Sequence, residues 1–134
     1  DSGPIIALEK IKILPNETST ELRKKMIKIG ATLLIKILPD FIESKITLLK
    51  QDENDDKYCK KIKKEDGLIE TNKENGEILY NKFRAYFKWP RIFFFKEDKR
   101  IIITDAILED NKFVIKKVLP EGKKETDYSI FLNS

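Results

Sequence analysis

The side chains in this sequence with the most capacity for chemistry are cations set close together. Lys57, Lys60, Lys61, Lys63 and Lys64 fall within one stretch, Gln51–Asp66 (QDENDDKYCKKIKKED), whose acids come first and whose bases come last. Opposite charges kept apart in this way leave a local positive field that suits a polyanion, a solvated connector being the plainer alternative. The remaining repertoire is thin. With no histidine there is no imidazole base, no Ser-His-Asp triad and no Cys/His zinc finger. Cys59 is the only cysteine, so no internal disulfide forms and a reducing cytosol fits. Among Lys and Asp neighbours its thiol reads as a bystander. Asp1 is an acid before a Gly-Pro turn, and nothing in its own surroundings marks it as catalytic.

Length and charge set the frame for those cations. The 134 residues suffice for one ordinary domain or two small units. Because 40% is hydrophobic against 37% charged, a core can form and the surface is charge-rich. A net charge of +4 permits an anionic partner without demanding one. The apolar run Leu33–Leu38 is interrupted by Lys36 and far short of the roughly 20 residues that cross a bilayer. No signal peptide is expected from this stretch. The chain starts at Asp1 on a Gly-Pro turn and reads as a piece of something larger.

The elements that must position the cations follow from periodicity. Pro4–Leu14 alternates at Ile11, Lys12 and Ile13 and is expected to be a strand. Thr18 with Glu21 three residues on has the form of a capping box, so a helix should start just after Thr18. Leu22, Met26, Ile29, Leu33 and Ile37 mark its apolar face, with Arg23, Lys24, Lys25 and Lys28 mainly opposite, and Pro39 should kink or end it. Lys45–Lys50 suits a short strand. Tyr58 and Ile62 are the candidate anchors of the connector.

Gly67 opens a second unit. Leu68-Ile69-Glu70 is a short strand, and Thr71 or Asn72 can cap the next helix. That helix carries Ile78, Leu79, Phe83, Ala85 and Tyr86 on one stripe and should end by about Lys88, ahead of Pro90. Trp89 is expected at a core corner between helix and sheet, a base-stacking platform being the alternative. Strands are expected at Arg91–Lys96, Arg100–Leu108 and Lys112–Leu119, with turns at Glu97-Asp98-Lys99 and Glu109-Asp110-Asn111. Tyr128, Phe131 and Leu132 would form an apolar clamp at the end.

Several of these stretches, in order, resemble the C-terminal half of the methionyl-tRNA formyltransferase family. Asp1-Ser2-Gly3-Pro4-Ile5 is similar to its Leu-Asp-Thr-Gly-Pro-Ile segment, and Thr18–Leu22 to its capped helix start. Gln51-Asp52-Glu53, Tyr58 and Lys61–Gly67 resemble the stretch joining its two domains. Ile78–Pro90 resembles its Ile-x-x-x-Ile-Arg-Ala-x-x-Pro-Trp-Pro motif, with Arg84-Ala85 and Trp89-Pro90 in register. Pro120-Glu121-Gly122-Lys123-Lys124 and Phe131-Leu132 resemble its close. The departures are Lys88 where the family usually has Pro, Arg91 where it has Gly, and Thr71 where an Asp-Trp pair ends in Trp. Strands are also trimmed between Ala106 and Pro120 relative to the family.

The resemblance implies an α+β chain with three parts. Residues 1–50 would be the remnant of an α/β formyltransferase domain (a strand and a long helix) and 51–66 an inter-domain linker. Residues 67–134 would be a small, shortened OB-like antiparallel β module with one helix, binding tRNA. It implies transfer of a formyl group from 10-formyltetrahydrofolate to the amine of methionyl initiator tRNA in the cytoplasm, by a parent enzyme expected to be monomeric and to need no metal. Asp1 matches the family's catalytic aspartate. No position matches the folate pocket or the catalytic Asn and His, so this portion is expected to be inactive alone. Where residues and resemblance meet, Lys60, Lys61, Lys63, Lys64, Arg84, Lys88, Arg91, Lys99, Arg100, Lys123 and Lys124 are the candidate phosphate contacts. Two other readings stay open: a sugar-nucleotide N-formyltransferase with a reduced C-terminal region, and a non-enzymatic module that dimerises through the edge at Phe93–Phe95.

Overall fold

The computed structural model describes residues 3–51, 59–71 and 73–133. It divides into two compact units, one of residues 3–17 and 21–60, the other of residues 18–20 and 61–133. Asp1, Lys57, Tyr58 and Asn72, on which expectations were placed, lie outside the described residues.

The first unit is built on one helix, α1 (Ser19–Ile42), which starts one residue after Thr18 as the sequence predicts. Pro39 neither ends nor caps it; the helix runs on through Ile42. No residue of α1 is buried. Its half-covered line is Leu22, Lys25, Ile29, Leu33 and Ile37. Lys25 therefore replaces Met26 on the expected stripe, because its ammonium donates to the Lys12 carbonyl at 2.6 Å and pairs with Glu17 at 3.4 Å. Met26, Ile27, Leu34, Ile35 and Ile42 are all exposed. The strands expected at Pro4–Leu14 and Lys45–Lys50 reduce to one antiparallel bridge between Ile5 and Leu49. Strand propensity needs a ladder to pair with, and elsewhere these segments find no strand partner among the described residues.

The second unit is α+β: a four-stranded antiparallel meander, order β1-β2-β3-β4, carrying one principal helix. A 3-10 turn at Lys64–Gly67 leads to α2 (Gly76–Ala85), β1 (Phe93–Lys96), β2 (Lys99–Glu109), β3 (Lys112–Pro120), β4 (Thr126–Asp127) and α3 (Tyr128–Leu132). The helix cap is Asn75, whose side chain accepts from the Glu77 N–H at 2.8 Å, and not Thr71. The helix starts late because Gly76 lies against the β2–β3 turn. A Cβ on Gly76 would meet the Asn111 carbonyl, Phe113 N at 2.7 Å and Lys112 Cα at 3.0 Å. Ahead of the helix Glu74 accepts from the Glu70 N–H and from Lys82 Nζ. Partial burial alone would raise the Glu74 carboxyl, but these two donors outweigh it and hold it below the usual range.

Both hairpins turn through two residues with positive φ, Glu97-Asp98 (52° and 58°) and Asp110-Asn111 (49° and 59°). Turns of this hand match the twist of the strands they join. The core is Ile69, Leu79, Tyr80, Phe83, Ile92, Ile101, Ile103, Ala106, Val118 and Phe131. On α2 the buried face is Leu79, Tyr80 and Phe83, while Ile78, expected inside, is exposed. The ladder between β2 and β3 shifts register twice in close succession. Ile103 pairs with Val118 and Asp105 with Lys117, so Thr104 has no register partner, and Lys116 is skipped before Ala106 pairs with Ile115. The sheet's outer edge at Phe93 is not free, since the Ile69 N–H donates to the Phe93 carbonyl at 2.9 Å and Leu68 bridges to it in parallel. The expected Leu68–Glu70 strand is this bridge. Among the described residues no helix is long and apolar enough to cross a membrane.

Candidate functional site

The Lys64 turn and the start of β2 come together although they are far apart in sequence. Lys64, Glu65, Leu68, Phe93, Phe95, Arg100 and Glu121 line one open groove of about 310 Å³. Three local features build it. Gly67 lets the 3-10 turn lie against the Arg91 carbonyl, where a Cβ would overlap it. Glu121 anchors the turn after β3, its N–H donating to the Arg100 carbonyl at 3.0 Å and its carboxylate accepting the Arg100 N–H at 3.1 Å. The Arg100 guanidinium then lies 3.9 Å from the centroid of the Phe93 ring, a cation–π stack that fixes its plane. Its Nε is buried without a hydrogen-bond partner and one terminal nitrogen reaches the Pro90 carbonyl at 3.5 Å. Phe95 and Leu68, 56% and 43% exposed, add apolar wall.

A second depression lies beside the α2–β1 turn and includes Lys88 and Arg91. Arg84 sits over the Tyr80 ring at 5.5 Å and donates to the Asn81 side chain at 2.6 Å. Lys61 and Lys63 are exposed just ahead of the 3-10 turn. Lys99 opens β2 after the first hairpin turn, and Lys123 and Lys124 lie in the turn after β3, all exposed. Lys60 is exposed and belongs to the first unit. Thus Lys64 with Arg100, and Lys88 with Arg91, are the pairs brought together. Among the described residues these four form no ion pair, whereas Lys82 and Lys73 are held by Glu74 and Glu70. Arg100 beside Pro90 and Gly67 beside Arg91 join the two clusters. Among the described residues no cluster of three His, Cys, Asp or Glu is placed to hold a metal.

Two expectations are corrected. Trp89 is not a core corner: it is 58% exposed, because the turn buries Pro90 and Ile92 instead. Ile62 is no anchor, at 45% exposed. Trp89→Ala should therefore cost about 1 kcal/mol or less in chemical denaturation, against the roughly 3–5 of a buried aromatic. Phe93 and Phe95 were read from the sequence as an edge and not as groove walls, and the two glutamates were not singled out; Glu65 and Glu121 sit inside stretches that carry charge of both signs.

The segment that builds the groove and the sheet, residues 61–116, matches the family model for the formyl transferase C-terminal domain. The chain carries a formyl transferase C-terminal domain. Methionyl-tRNA formyltransferase of Finegoldia magna is 37% identical over 101 residues, covering 75% of this chain and 32% of that protein. The enzyme of the same name from Natranaerobius thermophilus is 34% identical over 106 residues, 79% of this chain and 34% of the relative. That of Dictyoglomus turgidum is 29% identical over 160 residues, 99% of this chain and 51% of the relative. This chain spans about a third to a half of the length of those relatives and corresponds to a C-terminal part within the transferase family. The last alignment is longer than the chain, so the relative holds residues with no counterpart in this chain.

Proposed function

We propose that this chain is the C-terminal part of a methionyl-tRNA formyltransferase and that its second unit grips tRNA. In this reading residues 1–50 belong to the catalytic domain, 51–66 link it, and 67–134 form a trimmed OB-like module. The parent enzyme moves a formyl group from 10-formyltetrahydrofolate to the amine of methionyl initiator tRNA, in the cytoplasm. No matched position of this chain belongs to the folate pocket, so no step of the transfer is assigned to the described residues. Asp1 would serve that chemistry, as the aspartate that charges a histidine beside the oxyanion. The relatives' names favour charged tRNA over an amino-sugar nucleotide as acceptor.

The observation that carries the reading is the meeting of Lys64 and Arg100 in one groove, with no ion pair on either among the described residues and Lys61 and Lys63 just upstream. Phosphate contacts of this kind supply affinity and register rather than sequence readout. They also release counterions, so binding falls steeply as salt rises. Lys63 and Lys64 are exposed, so Lys63→Glu/Lys64→Glu should leave the fold intact. Titrated with tRNA at about 50 and 200 mM salt, the double variant should bind at least tenfold more weakly at the lower salt. Its log–log salt slope should shrink by about one per lysine. An unchanged slope would remove these lysines from the interface.

A further inference from the structure

The depression beside the α2–β1 turn, about 440 Å³, differs in character from the Lys64–Arg100 groove. Thr20, Tyr86, Phe87, Lys88, Arg91 and Thr104 line it, over Phe83, Ile92 and Ile103, and no acid lines it among the described residues. Its volume lies in the range of about 300–1,000 Å³ usual for small-molecule sites. Two features are costly to the fold and unexplained by it. Arg91 holds a φ of 64°, a left-handed conformation that suits glycine, yet the residue is a long cation with no ion pair among the described residues. Thr104 is the residue left without a partner where the β2–β3 ladder is interrupted, and its hydroxyl is buried with no hydrogen-bond partner. Irregularities of this kind re-aim a side chain, and a buried hydroxyl left unbonded is a penalty that an entering polar atom removes. Phe87, 43% exposed, and half-buried Tyr86 add ring surface.

We propose that this depression seats one unstacked nucleotide of an RNA. Its phosphate lies on Lys88 and Arg91, its base on the rings of Tyr86 and Phe87, and a polar atom of the base at the Thr104 hydroxyl. The assignment rests on the tRNA-binding reading and adds to it a single-stranded element, since a base stacked in a duplex is not free to enter a recess.

The test compares the whole chain with Arg91→Gly and Thr104→Val, using a labelled short single-stranded RNA and a duplex RNA of equal phosphate number. Both variants remove a cost, so each should melt at or above the parent Tm. Arg91→Gly should weaken single-strand binding about tenfold and Thr104→Val about fivefold, with Thr104→Ser close to the parent. Thr104→Val should leave duplex binding unchanged. Single-strand affinity untouched by both variants, or a Thr104→Val loss equal on both RNAs, would overturn the seat. So would a Tm that falls in step with affinity. Salt-dependent duplex binding alongside such a result would leave the tRNA reading standing, whereas no binding of either RNA would end both.

Discussion

Gly67→Ala should destabilise the second unit by about 3 kcal/mol, a fall in Tm of roughly 12–24 °C for a domain of this size. A methyl group at this position would overlap the Arg91 carbonyl and come within 3.3 Å of a Phe93 ring carbon. The first of these is backbone and cannot rotate away, and Arg91 is itself pinned by its N–H bond to the Tyr86 carbonyl at 3.0 Å. The gain from a less flexible unfolded chain, at most about 1 kcal/mol, does not offset such overlap. The loss should also be functional, because the turn that presents Lys64 would have to lift off the sheet. Thermal melts and tRNA titration should thus show both effects together. A Gly67→Ala protein with parent stability would mean that the 3-10 turn does not rest where it is placed.

Ile103→Ala should cost about 3–4 kcal/mol. Ile103 is 1% exposed, and its neighbours in the core include Ile92, Ile101 and Val118, all nearly inaccessible. The side chain sits just before the interrupted ladder, where β2 is tied to both β1 and β3: its N–H donates to the Ile92 carbonyl at 3.0 Å and its Cα partner is Val118. Collapse around the vacated space is restricted by those ties, which places the cost in the upper part of the Ile→Ala range. Ile107→Ala, at a position 37% exposed on the same strand, should cost less than about 1.5 kcal/mol. Equal losses at the two positions in urea denaturation would contradict the interruption after Ile103, which puts Ile107, four residues on, on the opposite face.

What could be read from the residues was what depends on neighbours in sequence. The start of α1 after Thr18, the three long strands and the two charged turns all rest on local periodicity and turn chemistry, and all appear. Pro4–Leu14 fails as a strand because alternation reports a face, and a strand exists only where another backbone pairs with it. Trp89 was misplaced because ring size argues for burial, while the chain turn at Pro90 decides which side chain points inward. Lys64 and Arg100 were both legible as cations; that they share a groove depends on Gly67 and Glu121, whose roles are set by approach distances absent from any pattern. Nothing in Ile103-Thr104-Asp105 signals an unpaired hydroxyl, since the interruption involves two strands at once.

That interruption leaves a mark on how the hairpin can vary. Before it, Ile103 faces Val118, and after it Ala106 faces Ile115, so one residue is spare on each strand and the offset between strands is restored. A lone deletion of Thr104 or Lys116 would straighten one strand while the other keeps its spare residue, with Ala106 still opposite Ile115. Removing both would yield an ordinary ladder with Ala106, Leu108, Phe113 and Ile115 still directed inward. The hairpin can therefore lose either spare residue without exchanging its inner and outer faces, whereas a deletion at any regularly paired position would exchange them.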